Sequence, residues 1–550
     1  MRNKIKRRIV LGIIMILMVL FSVDRIFAAT EDNKLLSSDG AAGDNFGRSV
    51  SVNDDVMVVG AIGCDEVGEE SGGAYVYRLD GVNWVEEAKL VASDGMAGDH
   101  FGWSVAVDRD VIVVGAPRGE QILGKVSWAY VFRYDGVNWV EEAKLIPGDG
   151  ATGSHFGYSV SVKDDVIVVG AYDDDSLSEN RGSAYVYRYN GGDWIEEDKI
   201  VADDGTTGDF FGRSVSDNKN VVIIGAPGDD DAGSESGSVY IFQYDGVNWI
   251  EEGKFIANDG MESDHFGHSV SVNKNVIVVG ASGIFSNSGV YLGSAYVFRY
   301  DGTNWIEEAK LTASDGVEND AFSYSVSLDR DTILIGAYGN DDAGNGSGSA
   351  YVYRFNGVDW LEVDKLVAND AVADAEFGFS VSLSANLIAV GAPGDDDAGR
   401  HTGSVYIFGK PCSEPKVVNG FVKDRKSSQK DEFSIKLKKL TGLSNSLVDL
   451  NTKIVHVKIG PLSLNIPGDE FVALRHGTIR YFGHPAGTKG IFQISFHKDD
   501  SAILKGFKTN LNGISNPISA VIEIDDGGCW QSTTRWRKFW NHGTVIYHRL

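Results

Sequence analysis

Apolar and polar residues alternate over short runs along most of this chain, and the runs recur in a fixed phase. Between Asp209 and Phe255 four of them follow one another: Gly212–Ser216, Val221–Ala226, Ser238–Tyr244 and Trp249–Phe255. β-Branched and aromatic residues fill these runs, and Gly, Asn and Asp separate them, which is the pattern of strands joined by turns. Asp245-Gly246 marks a tight hairpin between the third and fourth. No stretch of the block sustains a helical period, so it predicts four antiparallel strands.

The block occurs seven times. Phe46-Gly47, Phe101-Gly102, Phe156-Gly157, Phe211-Gly212, Phe266-Gly267, Phe322-Ser323 and Phe377-Gly378 mark the copies, at steps of 55 or 56 residues. Repetition at a fixed period means stacked units that bury their faces on one another. Four-stranded units repeated radially form a β-propeller, so residues 29–410 are expected to build seven blades. The last copy stops at Tyr406-Ile407-Phe408, with no Trp-led fourth run. Glu31-Asp32-Asn33-Lys34-Leu35 matches Glu86-Glu87-Ala88-Lys89-Leu90 and is expected to supply the missing outer strand, closing the ring.

Both flanks differ from the repeats. Residues 1–28 join a basic head (Arg2, Lys4, Lys6, Arg7, Arg8) to the apolar run Ile9–Phe21, with small residues at Ala28 and Ala29. This reads as a signal peptide, too short for a comfortable span, and no membrane-spanning segment is expected after its cleavage. Residues 411–550 lose the repeat but keep alternation, as in Phe433–Leu437 and Val455–Ile459, which suggests a small β-sandwich-like accessory domain. The fold class is therefore all-β throughout.

Charge divides along the same boundaries. The chain carries −28 in total: +5 in residues 1–28, +8 in 411–550 and −41 in 29–410. So acidic a propeller repels nucleic acid and anionic membrane and attracts cations; solubility outside the cell is the plainer use of the same charge. Three cysteines, Cys64, Cys412 and Cys529, do not make a disulfide framework for 550 residues. One bridge, Cys412 to Cys529, would staple the last domain and leave Cys64 over.

The Phe-Gly pairs, followed by Gly225-Ala226-Pro227 or Gly391-Ala392-Pro393, resemble the FG-GAP repeat, which builds the seven-bladed propeller of integrin α chains. The DGxxGDxFG openings and GAPGDDDAG loops are similar to the repeats of exported bacterial proteins. The resemblance spans about residues 31–408. It implies a secreted or envelope protein that acts in adhesion, ligand binding or carbohydrate recognition. The integrin-type calcium loop DxDxDGxxD sits between the first two strands of a blade. Here that hairpin is only a few residues long, as at Asn53-Asp54-Asp55, so those sites are expected to be absent.

Strand alternation sends the loops after strands two and four to one face, here called the top. They are longer than those on the opposite face, and function favours long loops on a rigid scaffold. Asp173-Asp174-Asp175, Asp229-Asp230-Asp231, Asp341-Asp342 (after Asn340) and Asp395-Asp396-Asp397 lie there and are candidate calcium ligands, since a hard cation takes several carboxylate oxygens. Taken singly, each loop reads rather as a solvated Asp/Gly turn bonded to its own backbone. The connections between blades repeat a second pair, as Asp39/Asp44 and Asp204/Asp209, whose recurrence favours a turn role.

A third set varies while its neighbours repeat. The residue after each Phe-Gly or Phe-Ser is Arg48, Trp103, Tyr158, Arg213, His268, Tyr324 or Phe379. Aromatic and Arg side chains are common binding anchors, and aromatic faces suit sugar rings. The alternative is that they wedge between adjacent blades. Two top loops depart from the consensus: Arg118 lies in one without an Asp run, and Phe285 and Tyr291 lie in an apolar one, as a partner surface would have. No HExxH, GxSxG or paired-Cys motif is present. The expected function is a non-enzymatic binding or adhesion protein with a protein or glycan ligand. An enzyme acting on surface polysaccharide, or a purely structural envelope component, is the alternative.

Overall fold

The computed structural model describes residues 31–80, 83–117, 127–150, 153–174, 180–283, 292–384 and 387–409, together with strands between 416 and 549. The chain divides into two compact units, one of which is Ala29–Lys410 and the other of which contains Pro411–Leu550.

The first unit is a seven-bladed β-propeller of four-stranded antiparallel sheets. In blade one the strands run from the inside outward as Phe46–Asn53, Val56–Ala61, Gly73–Leu79 and Trp84–Leu90. The second strands are apolar nearly throughout, as in Val111–Ala116, where every residue is buried. A strand so placed is covered on both faces, which is why alternation gives way there to a continuous apolar run. Each hydrophobic cluster is shared between neighbours: Val56, Val58 and Val76 of blade one pack with Ile112, Val114 and Tyr130 of blade two.

The Phe-Gly marks are joints of this packing. Phe46 is fully buried and meets Tyr75 and Tyr77 edge-on, with ring centroids 5.4 and 6.0 Å apart. The glycine that follows takes a positive φ, +93° at Gly102, and a Cβ there would strike the Gly73 carbonyl of the preceding blade. That conformation turns the chain out of the extended region. The inner strand of blade four is Ser214–Asp217, which begins two residues later than the alternation suggests. Blade six carries Ser323 at this position, at φ +70°; its hydroxyl donates to the Ser294 carbonyl at 2.7 Å and accepts the Ala281 amide at 3.1 Å.

The ring closes as expected. Glu31–Leu35 pairs antiparallel with Ser404–Gly409, Lys34 opposite Tyr406 and Leu35 opposite Val405, and completes blade seven from outside. On the inner side the Ser380 hydroxyl donates to the Gly47 carbonyl of blade one at 2.8 Å.

In the second unit, strands Asp431–Lys438, Ile454–Ile459, Ile491–His497 and Ile518–Ile524 cover the alternating runs of the sequence. They belong to two antiparallel sheets, one of eight strands and one of four. Residues 1–28, Cys412, Asp175, Arg118, Phe285 and Tyr291 lie outside the described residues. Cys64 is a free, buried thiol beside the Tyr75 hydroxyl, and burial pushes its pKa up to about 12.

Candidate functional site

The seven variable residues converge. Arg48, Trp103, Tyr158, Arg213, His268, Tyr324 and Phe379, one from each blade, line a single cavity of about 240 Å³. Each sits at the start of an inner strand, directly after the positive-φ glycine or serine, so the joint that docks adjacent blades also aims these side chains. The serines that follow, Ser49, Ser104, Ser159, Ser325 and Ser380 among them, complete the wall.

The side chains touch around the ring rather than wedging singly between blades. The Arg48 guanidinium lies between Trp103 and Phe379, 4.2 and 4.5 Å from their ring centroids. Trp103 continues to Tyr158 at 5.4 Å, and the Arg213 guanidinium lies 4.4 Å from the Tyr158 centroid. His268 meets Tyr324 at 4.9 Å, and Tyr324 meets Phe379 at 4.9 Å. Two residues the sequence analysis passed over support this ring. Tyr172 packs on Tyr158 at 4.5 Å, with Arg213 5.3 Å from its centroid; Tyr338 packs on Tyr324 at 4.6 Å. Their signal was present: blades three and six read Gly-Ala-Tyr where blades two, four and seven read Gly-Ala-Pro.

Charge inside the cavity is set by burial. His268 is held neutral: burial foremost, then the charges of Arg213 and His265, push its pKa down to about 3. Burial likewise pushes the Tyr324 phenol up to about 12, against the pull of Arg48 and Arg213. Arg48 and Arg213 bring two guanidiniums to the same cavity wall. Neither forms an ion pair among the described residues. Three arginines of the outer rim differ. Arg133, Arg188 and Arg299 also stack on an aromatic ring, yet each bonds a Glu carboxylate, at 2.7 Å in all three cases.

The Asp runs lie away from this cavity, one each in blades three, four, six and seven, and are engaged within their own blades. Asp229 accepts the Ser238 hydroxyl at 2.8 Å, the Tyr240 hydroxyl at 3.2 Å and the Lys254 ammonium at 2.8 Å. Asp231 pairs with the same lysine at 2.6 Å, and Asp230 accepts the Glu235 amide at 2.7 Å. Asp174 pairs with Lys199, Asp342 with Lys365, and Asp395 and Asp397 with Lys34. Asp173 contacts His155 Nδ1 at 3.0 Å, while Asp341 and Asp396 accept the backbone amides of Gly346 and His401. Among the described residues no group of three or more His, Cys, Asp or Glu side chains is arranged to hold a metal ion.

The second carboxylate set divides its work. Asp39, Asp94, Asp149, Asp204, Asp259, Asp315 and Asp370 each accept a tyrosine hydroxyl and a lysine ammonium from the blade that follows, as Asp204 does from Tyr240 and Lys254, both at 2.8 Å. Asp44, Asp99, Asp209, Asp264 and Asp320 cap the connecting turns by accepting an amide three residues back.

Comparison with protein-family models matches the FG-GAP repeat seven times, over residues 29–77, 84–132, 139–187, 194–242, 249–298, 305–353 and 360–408. Each match starts on the outer strand of one blade and ends on the third strand of the next. No curated protein matches the chain. Among the described residues, no helix is long and apolar enough to cross a membrane.

Proposed function

Because the chain belongs to the FG-GAP repeat family, a propeller fold that typically binds rather than catalyses, we propose that it is a non-enzymatic ligand-binding module. In this reading it is exported to the envelope or beyond, and it presents one mouth of its channel to a glycan or protein in adhesion. One observation carries the proposal. The residues that vary between otherwise repeating blades are the residues that meet in one cavity. Repeated positions such as Phe46 and Gly60 are consumed by packing, whereas a position free to vary at the axis is free to be shaped by a ligand. The density of Trp, Tyr, Phe and Arg around that cavity is the composition of binding hot spots.

The test is a glycan array and an adhesion assay with the full chain, compared across variants. Trp103→Ala and Phe379→Ala should weaken binding about tenfold or more, as loss of a central anchor does. Val247→Ser, at an exposed hairpin tip on the opposite face, should leave it unchanged. Binding that survives both cavity substitutions would place the ligand elsewhere and defeat the proposal. Calcium assistance would call on the top loops, where the lysines now lie among the carboxylates.

A further inference from the structure

We infer that the axial cavity recognises a carboxylate-bearing sugar, one acidic residue of a glycan, through Arg48 and Arg213; this rests on the reading of that cavity as the ligand site. The starting observation is a mismatch of charge. Residues 29–410 carry −41, and the rim guanidiniums of Arg133, Arg188 and Arg299 are each paired with a neighbouring Glu. Yet the two guanidiniums in the axial cavity form no ion pair among the described residues, and Glu376 acts on Arg48 through its charge alone, without a bond. Two cations on one cavity wall, neither bonded to a carboxylate, cost stability, and a fold with so many spare carboxylates has placed none in bonding contact with them.

The geometry shows what is left to bind. Arg48 is sandwiched between two rings, and Arg213 lies over two more. Stacking uses the faces of the guanidinium and holds its plane. It leaves the five N–H donors, which lie in that plane, for an acceptor. A planar carboxylate fits that fork with two parallel bonds. His268 does not compete for it, being neutral and buried. The volume limits the occupant. At about 240 Å³ the cavity lies below the ~300–1,000 Å³ of sites for drug-sized molecules, which suits a single residue. Trp103, Tyr158 and Tyr324 add the aromatic edges and faces against which the apolar side of a sugar ring packs. The acidic surroundings supply selectivity: a polyanion is repelled at long range, so only an anion that reaches the two arginines gains from them.

Ligand-observed NMR titration of the full chain tests this with three probes: methyl glucuronide, methyl glucoside and N-acetylglutamate. The glucuronide should bind about tenfold or more tightly than the glucoside, the worth of a charge-assisted hydrogen-bonded pair. Arg48→Met and Arg213→Met keep the apolar stem for packing, and each should reduce that preference to less than about threefold. Arg48→Lys, which keeps charge but loses the fork, should fall between. Melting curves identify any variant that fails to fold, and the lysine variant then carries the comparison. Equal binding of glucuronide and glucoside, both lost in Trp103→Ala, would overturn the charge assignment while leaving the cavity as a sugar site. N-acetylglutamate binding more tightly than the glucuronide would overturn the sugar assignment. A glucuronide that does not bind, or whose preference survives both Met variants, would overturn the inference.

Discussion

At the scale of single residues, the informative positions are those where one copy breaks the pattern. The slot held by Val52, Val107, Val162, Val272, Leu328 and Leu383 in six blades is Asp217 in blade four, and it is buried there too. Its carboxylate accepts the Ser161 hydroxyl at 2.6 Å and the Lys219 amide at 3.1 Å. Burial nevertheless dominates, with the Asp108 charge adding to it against the Ser161 and Lys219 bonds and the Lys163 charge, and pushes its pKa up to about 6. A carboxyl raised in the folded state binds its proton more tightly there than when unfolded. Its contribution to stability is therefore full below about pH 4, falls as pH rises to about 6, and is level above. Asp217→Asn removes this fall. In urea unfolding the stability difference, variant minus parent, should grow by roughly 2 kcal/mol between pH 4 and pH 7. A difference that stays constant over that range would show that the carboxyl titrates normally.

At the scale of elements, each blade is fastened to the connection before it by a tyrosine of its third strand and a lysine of its outer strand. Burial pushes the Asp204 carboxyl up, but bonds from Lys254 and Tyr240 outweigh it and hold the group below the usual carboxylate range. Lys254 sits among Asp204, Asp229 and Asp231 at 2.6–2.8 Å. The fold has thus placed its own cation where the Asp runs could otherwise take a metal. Lys254→Met should cost about 3 kcal/mol or more, since it leaves the buried Asp229 facing two other carboxylates. Millimolar calcium should then restore part of the lost melting temperature in the variant and change the parent little. A variant that melts alike in calcium and in chelator would show that these oxygens cannot converge on an ion. A second latch runs along the rim, where each of four outer-strand tryptophans donates Nε1–H to a Glu of the preceding blade, as Trp139 does to Glu87 at 2.9 Å.

At the scale of the whole molecule, the sequence repeat and the blade are out of step by one strand. Every family match begins on an outer strand and ends on the third strand of the next blade. A chain of seven such units must therefore give its first strand to its last blade, and Glu31–Leu35 does so. Lys34 of that strand pairs with Asp370, Asp395 and Asp397, which ties the N-terminal strand to the last blade. Deleting residues 31–35 should lower the melting temperature and expose Ser404–Gly409 as a free edge, seen as concentration-dependent association in size-exclusion chromatography. A shortened chain that stays monomeric and melts as the parent does would show that closure contributes little.

The periodicity alone determined the strands, the seven blades and the strand-exchanged closure, because period-two alternation and a 55-residue step are local facts that any copy repeats. The variable position after Phe-Gly was also legible as a position. What only the tertiary structure decided is that its seven occupants meet. They stand 55 or 56 residues apart in sequence and are neighbours solely because the ring brings every inner strand to one axis. The partners of the Asp runs were hidden for the same reason, since Lys254 is 23 residues from Asp231 and 50 from Asp204. The pattern of a sequence records which face of a strand is buried; which distant side chains share a cavity depends on how the sheets close.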